Sequence, residues 1–144
     1  MKIVIGVDDS LHSKAAVEYV KRTAWPTGTQ VIVVTAAQPL YAMVELGGAS
    51  YVHDAQEFEI RHHEKLAERY ERELEERGLR TTAKVVFGDA RLALIEAVTV
   101  EGADLLVVGS HGRTGFDKLL MGSVASHVVT HAPCNVLVVK MPRK

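Results

Sequence analysis

Asp104-Leu105-Leu106-Val107-Val108-Gly109-Ser110-His111-Gly112-Arg113-Thr114-Gly115 is the stretch on which the fold turns. Its aliphatic run does not alternate with polar residues. That reads as a strand covered on both faces, the habit of a parallel sheet. Three glycines follow at a spacing of three. Glycine loses more conformational freedom on folding than other residues, so it is used where φ is positive or a backbone must come close. Such a loop can turn successive N–H groups toward an anion. A plain βα connection with glycine at its turns is the alternative.

Outward from this stretch, similar runs stand at 2–7, 30–36 and 135–140, with a weaker Val- and Thr-rich run at 81–87. Helical patterns separate them. Ser10 predicts an N-cap for a helix to about Thr23, with Ala15, Ala16, Tyr19 and Val20 inward and Pro26 and Gly28 as its stop. A charged helix is expected over 54–77, ending at Gly78. Its apolar stripe would be Phe58, Leu66, Tyr70 and Leu74, with Glu57–Arg61, Glu68–Arg72 and Glu73–Arg77 as i,i+4 pairs. Asp89 predicts the N-cap of a third helix to Val100. A fourth runs from near Ser123 to near His131, before Pro133. The β-α-β-α-β-α-β-α-β order predicts an α/β fold: a doubly wound, five-stranded parallel sheet with right-handed crossovers and helices on both faces. A long loop with Pro39, Gly47 and Gly48 is expected between Ala37 and about His53.

The length of 144 residues suits one domain, 1–144, with a core that needs no disulfide. Apolar residues at 47% and charged residues at 24% are ordinary soluble usage. The net charge of −1 and scattered Lys and Arg argue against a nucleic-acid footprint. Cys134 is the sole cysteine, which fits a reducing compartment. Met1-Lys2 runs straight into Ile3-Val4-Ile5-Gly6, unlike a signal peptide, and no apolar run nears the ~20 residues of a membrane helix. The expectation is a soluble cytoplasmic protein.

In an open α/β sheet, ligands sit beyond the carboxyl ends of the strands, where strand order reverses. The first strand ends in Val7-Asp8-Asp9-Ser10, and the fourth in the glycine loop. If these strands are neighbours, both loops face one crevice. Gly122-Ser123-Val124-Ala125 would add a helix N-terminus, whose free N–H groups and dipole favour phosphate. The pattern is neither a Walker A loop nor the dinucleotide fingerprint, because Gly-x-x-x-x-Gly-Lys and Gly-x-Gly-x-x-Gly are both absent.

With these residues in view, the chain resembles the universal stress protein family. That family's nucleotide signature is Gly-x2-Gly-x9-Gly-Ser/Thr, here Gly109, Gly112, nine residues, then Gly122-Ser123. Leu105-Leu106-Val107-Val108, His131-Ala132-Pro133-Cys134, Val136-Leu137-Val138-Val139 and the opening Ile3-Val4-Ile5-Gly6-Val7-Asp8-Asp9-Ser10 are also similar to the family pattern. Asn135 departs from it, since many relatives carry Pro or a small residue there. The resemblance implies a Rossmann-like sheet in the order 3-2-1-4-5. It implies ATP as ligand, with AMP or ADP as alternatives, and Mg2+ held through Asp8. Val7 and Asp8 would lie by the ribose and phosphates, and Ala36 would offer backbone groups to adenine. Gly109, Ser110, His111, Gly112, Arg113, Thr114 and Gly115 would wrap ribose and phosphates. Gly122, Ser123, Val124 and Ala125 would hold the phosphates. A homodimer through strand Val136 to Val139 is implied as well, which would also cover an apolar sheet edge.

Other residues have plainer readings. His127, His131 and Cys134 could hold a metal but lack an acidic partner; His131 alternatively suits a helix C-terminus. His62 and His63 are expected to face solvent, and Cys134 to be a buried apolar residue. His111 either touches the nucleotide or merely lines the site. No Ser–His–Asp or Cys–His arrangement stands out, so efficient catalysis is not expected, at most slow ATP hydrolysis. A phospho-acceptor receiver would use Asp8, Asp9, Asp89 and Lys140, yet it leaves the glycine loop without a role. An adenylate-forming enzyme would need His-x-Gly-His, and only His12 lies near that turn. A nucleotide-independent dimeric interaction module is the remaining alternative.

Overall fold

The computed structural model describes residues 1–38, 49–112 and 120–141, and for 49–51 the backbone alone. Strands and helices alternate: β1 (Lys2–Gly6), α1 (Leu11–Arg22), β2 (Gln30–Ala37), α2 (Ala49–Glu75), β3 (Arg80–Phe87), α3 (Ala90–Glu101), β4 (Leu105–Gly109), α4 (Ser123–His131) and β5 (Asn135–Val139). The five strands form one sheet in the order β3-β2-β1-β4-β5, the order the resemblance implied. Every pairing is parallel, with Gly6 opposite Val34 and Ile5 opposite Val107.

Successive side chains of a strand point to opposite faces, and β1 divides the core accordingly. Ile3, Ile5 and Val7 join Ala16, Val17 and Val20 of α1 and Leu66, Tyr70 and Leu74 of α2. Val4 joins Ile32, Val34, Leu106 and Val108 with Leu94 and Val98 of α3 and Val128 of α4. The result is three layers. Ile3, Val4 and Ile5 are fully buried, each contributing about 1.5–3 kcal/mol against exposure. These two apolar slabs fix the strand ends, and hence the loops beyond them.

Three assignments are corrected, two inward and one outward. Tyr19 is 43% exposed, and Val17 takes its place in the 13-16-17-20 stripe of α1. Phe58 is 71% exposed. Eight residues turn a helix about 80° past two full turns. Stepping from Leu66 forward to Leu74 therefore stays in the buried face, while stepping back to Phe58 leaves it. His63 lies in that face and is 4% exposed, with its Nδ1 2.7 Å from Thr35 Oγ1. It does not face solvent as expected, whereas His62 does in part. Helix α2 also starts earlier than expected, at Ala49, with Val52 extending its buried face. The expected loop is thereby shortened from its far end, and residues 39–48 lie outside the described ones. Glu57 and Arg61 pair at 3.4 Å, while Glu73 pairs with Lys21 of α1 at 3.1 Å.

The caps follow the sequence. Ser10 Oγ accepts from the Ser13 N–H at 3.1 Å, and Asp89 Oδ1 accepts from the Arg91 N–H at 2.8 Å. The Arg91 side chain, then its backbone N–H, holds the Asp89 carboxyl down at about 2. A depressed carboxylate stabilises the fold above its unfolded value of about 3.9, and that contribution is lost as pH falls toward 2. Asp89→Ala is expected to cost about 1 kcal/mol at neutral pH. In urea titrations the gap to the parent should shrink between about pH 4 and pH 2. A gap independent of pH would assign the loss to something other than this carboxylate.

Candidate functional site

Because β1 sits between β2 and β4, the loops after β1 and β4 meet at the carboxyl edge of the sheet. A cavity of about 280 Å3 opens there. Its apolar wall is Val7, Val34, Val108, Ala125 and Leu94. Its polar end carries Asp8, His111, Gly112 and Ser123, and Ala36 and Gln38 stand at the β2 side. Val7, Asp8, Ala36, Gly109, His111, Gly112, Ser123, Val124 and Ala125 were expected here and line the cavity. Arg113, Thr114 and Gly115 lie outside the described residues.

Ser110 and Gly122 do not line the cavity; they hold its frame. The Ser110 N–H donates to the Val139 carbonyl at 2.9 Å, and the Ser110 carbonyl accepts from the Gly122 N–H at 2.8 Å. The β4 loop is thereby tied both to the end of β5 and to the start of α4. Ser110 is 3% exposed, and its Oγ lies 3.2 Å from His12 Nδ1 and 3.1 Å from His111 Nδ1. His111 Nε2 donates to the Leu120 carbonyl, which can only accept. In a neutral ring its Nδ1 then accepts from the Ser110 hydroxyl, and His12 Nδ1 donates to that hydroxyl. His111 therefore links Ser110 to Leu120 as well as lining the cavity.

Asp8 is held from its own loop. Its Oδ1 accepts from Ser13 Oγ at 2.7 Å and from the Ser10 N–H at 3.0 Å. The Asp8 N–H donates to Ser13 Oγ at 2.9 Å. Oδ2 lies against Gly112, 2.9 Å from where a Cβ would stand. Among the described residues no group of three or more His, Cys, Asp or Glu could hold a metal by itself. A single carboxylate still fits Mg2+, which keeps several waters and takes its remaining oxygens from phosphates. Calcium-like or zinc-like cages need more protein ligands than this site offers.

The first turn of α4 completes the polar end. Its N-cap is Gly122, and no side chain caps it, unlike α1 and α3. The leading N–H groups of Ser123, Val124 and Ala125 are those that a helix leaves without an intrahelical partner. They carry partial positive charge toward an anion. An open cleft with an apolar wall that ends in such a turn can take a flat apolar group joined to an anionic tail.

None of Gly109, Gly112 and Gly122 has a positive φ; among the described residues those are Gly28, Gly78, Gly88 and Gly102. Close approach explains the signature glycines. A Cβ on Gly109 would stand 2.7 Å from the His12 carbonyl carbon, and one on Gly122 3.1 Å from His111 Cα. Leu94, Ala90, Val34, Gln38 and Ser13 also line the cavity and were missed. Leu94 reads in sequence as an ordinary inward helix position. Only the crossing of α3 over the sheet places it at the site.

A doubly wound parallel sheet in this strand order, with a glycine loop and a helix N-terminus at its switch point, defines a Rossmann-like α/β protein. The sequence model of the universal stress protein family matches residues 1–140, and the chain belongs to that family. It is 30% identical to a universal stress protein of Thermus aquaticus, covering 96% of this chain and 97% of the relative. The solved structure of MJ0577, a universal stress protein of Methanocaldococcus jannaschii, superposes with a TM-score of 0.86 at 25% identity, covering 99% of this chain and 97% of that one. A universal stress protein family structure from Arabidopsis thaliana with AMP bound shares the fold, with a TM-score of 0.69 at 18% identity over 99% of this chain and 92% of that one.

Proposed function

We propose that the cavity binds ATP, with AMP or ADP as lesser alternatives, and that the chain is a nucleotide-dependent stress-response or regulatory protein of the cytoplasm rather than an efficient enzyme. The observation that carries this is the uncapped first turn of α4, set at the polar end of an apolar slot. Adenine would fit between Val34, Val108 and Leu94, where the backbone of Ala36 can read its edge. The phosphates would meet the N–H groups of Ser123, Val124 and Ala125, with Gly112 close by. Asp8 Oδ2 would hold Mg2+, which neutralises phosphate charge when bound. The AMP-bound relative lends support to an adenine nucleotide. Dimerisation through β5 fits too: it is an edge strand whose Val136, Leu137 and Val138 are only half-buried. Such an edge needs cover.

Thermal melting tests the reading. ATP in 100-fold excess over its Kd should stabilise the chain by ~2.7 kcal/mol, a rise of several degrees. GTP should do much less. No ATP shift, together with no adenine nucleotide released from purified protein, would favour the nucleotide-independent dimeric module. In Asp8→Ala, ATP affinity should fall and lose its dependence on Mg2+. Affinity equal to the parent, with and without Mg2+, would remove Asp8 from the site.

A further inference from the structure

His127 and His131 take no part in the cavity. They stand one turn apart on the outer face of α4, and their rings stack with centroids 4.2 Å apart and planes 23° apart. His131 is exposed and His127 half-buried. His131 Nδ1 lies 2.9 Å from the His127 carbonyl. A carbonyl only accepts, so Nδ1 carries the proton and the Nε2 of the neutral ring keeps its lone pair. We propose that His127 and His131 form a two-imidazole site for a divalent transition-metal ion of the copper, nickel and zinc group.

Three observations bear on this. Two histidines four apart on one helix face are the spacing by which a helix brings two imidazoles to one ion. Metal-ligating histidines commonly donate their other ring nitrogen to a backbone carbonyl, which fixes tautomer and orientation; His131 already has that bond. The turn between the pair is anchored by Val128, which is fully buried, so the ligands are presented by a packed helix rather than a loose one. Imidazole selects copper, nickel and zinc over magnesium and calcium, so the site is chemically separate from Asp8.

The other close histidine pairs are committed elsewhere. Both His12 and His111 turn Nδ1 to Ser110 Oγ, and His111 Nε2 is spent on Leu120. In the remaining pair, His63 is buried against Thr35, and His62 Nε2 lies 3.5 Å from Asp9 Oδ2. Cys134 does not complete the set. It packs against the core beneath α3 and α4, and burial pushes its thiol up, away from the thiolate a metal needs. Two protein ligands leave the remaining positions to water. The ion should therefore exchange readily, and Cu2+ should bind most tightly.

Titration of tag-free chain with NiCl2, ZnCl2 or CuCl2 by calorimetry should show one ion per chain. His131→Ala and His127→Ala should each weaken binding by about tenfold or more, since even an outer-shell partner of a metal is worth about that much. His131→Gln should behave likewise while keeping a good helix former in place. His53→Ala should match the parent. The chelate exists only while α4 is helical, so the ion should also raise the melting temperature of the parent and not of the variants. Absence of binding in the parent, or parental affinity in His131→Ala and His131→Gln, would overturn the site. These readouts are independent of ATP, so the nucleotide reading stands or falls separately.

Discussion

Gly122→Val is expected to abolish nucleotide binding, lowering ATP affinity by about 100-fold or more, or ~2.7 kcal/mol. A Cβ at this position would lie 3.1 Å from His111 Cα and 3.2 Å from the Ser110 carbonyl oxygen. Both neighbours are backbone and cannot swing aside. The Gly122 N–H also donates to that carbonyl. A branched side chain therefore pries the β4 loop away from the first turn of α4. Those two pieces form the polar end of the cavity, and a displacement near 1 Å already spoils several charge-assisted hydrogen bonds, each worth ~1.5–3 kcal/mol. The fold should survive, since Gly122 lies outside both core clusters and overpacking costs ~1–3 kcal/mol. The valine does not simply fill the phosphate position; it separates the two elements that make that position. The measurement is ATP binding by calorimetry beside the melting curve of the free variant. A variant that stays folded and binds ATP within about threefold of the parent, a difference of under 1 kcal/mol, would remove this junction from the site.

The same junction shows how far the residues alone could be read. Strand and helix order was legible, because aliphatic runs and caps such as Ser10 and Asp89 are local signals. The crevice was legible because a doubly wound sheet puts its binding edge where the first and fourth strands meet. What escaped was anything decided by a helix crossing the sheet. Leu94 carries no mark that separates a cavity wall from a core position. His63 looks like one more polar residue on a charged helix until α2 is laid over Thr35. The spacing of the signature glycines was plain, yet spacing could not tell a phosphate contact from a backbone contact. Gly112 faces the Asp8 carboxylate, Gly122 faces the loop backbone, and Gly109 faces a helix. Three glycines of one motif thus answer to three different neighbours.

Gly109 is where this distinction has the largest consequence for stability. Its φ is not positive, so alanine would meet no backbone strain there. At such a position alanine ordinarily stabilises by ~0.4–1 kcal/mol through the unfolded chain. The structure reverses the sign. The added Cβ would stand 2.7 Å from both the carbonyl carbon and oxygen of His12 and 2.8 Å from His12 Cβ. Those atoms belong to the first turn of α1. That turn is pinned by the Ser10 cap, by the Ser13–Asp8 hydrogen bonds and by the burial of Ala16, Val17 and Val20. Neither side can yield cheaply. Gly6 is the contrast: its Cβ would meet side chains rather than backbone, the end of Leu94 at 2.8 Å, which can rotate, and Val108 Cγ1 at 3.3 Å. Gly109→Ala is therefore expected to destabilise by about 3 kcal/mol, the upper end of overpacking, and to lower the melting temperature by roughly 10 °C. Gly6→Ala should cost the fold less and instead push Leu94 toward the cavity, weakening ATP more than stability. Urea unfolding of the two variants, each with and without ATP, separates these outcomes. A neutral or stabilised Gly109→Ala would mean that β4 and α1 do not approach as closely as the structure has them. The glycine would then owe its place to the ligand alone.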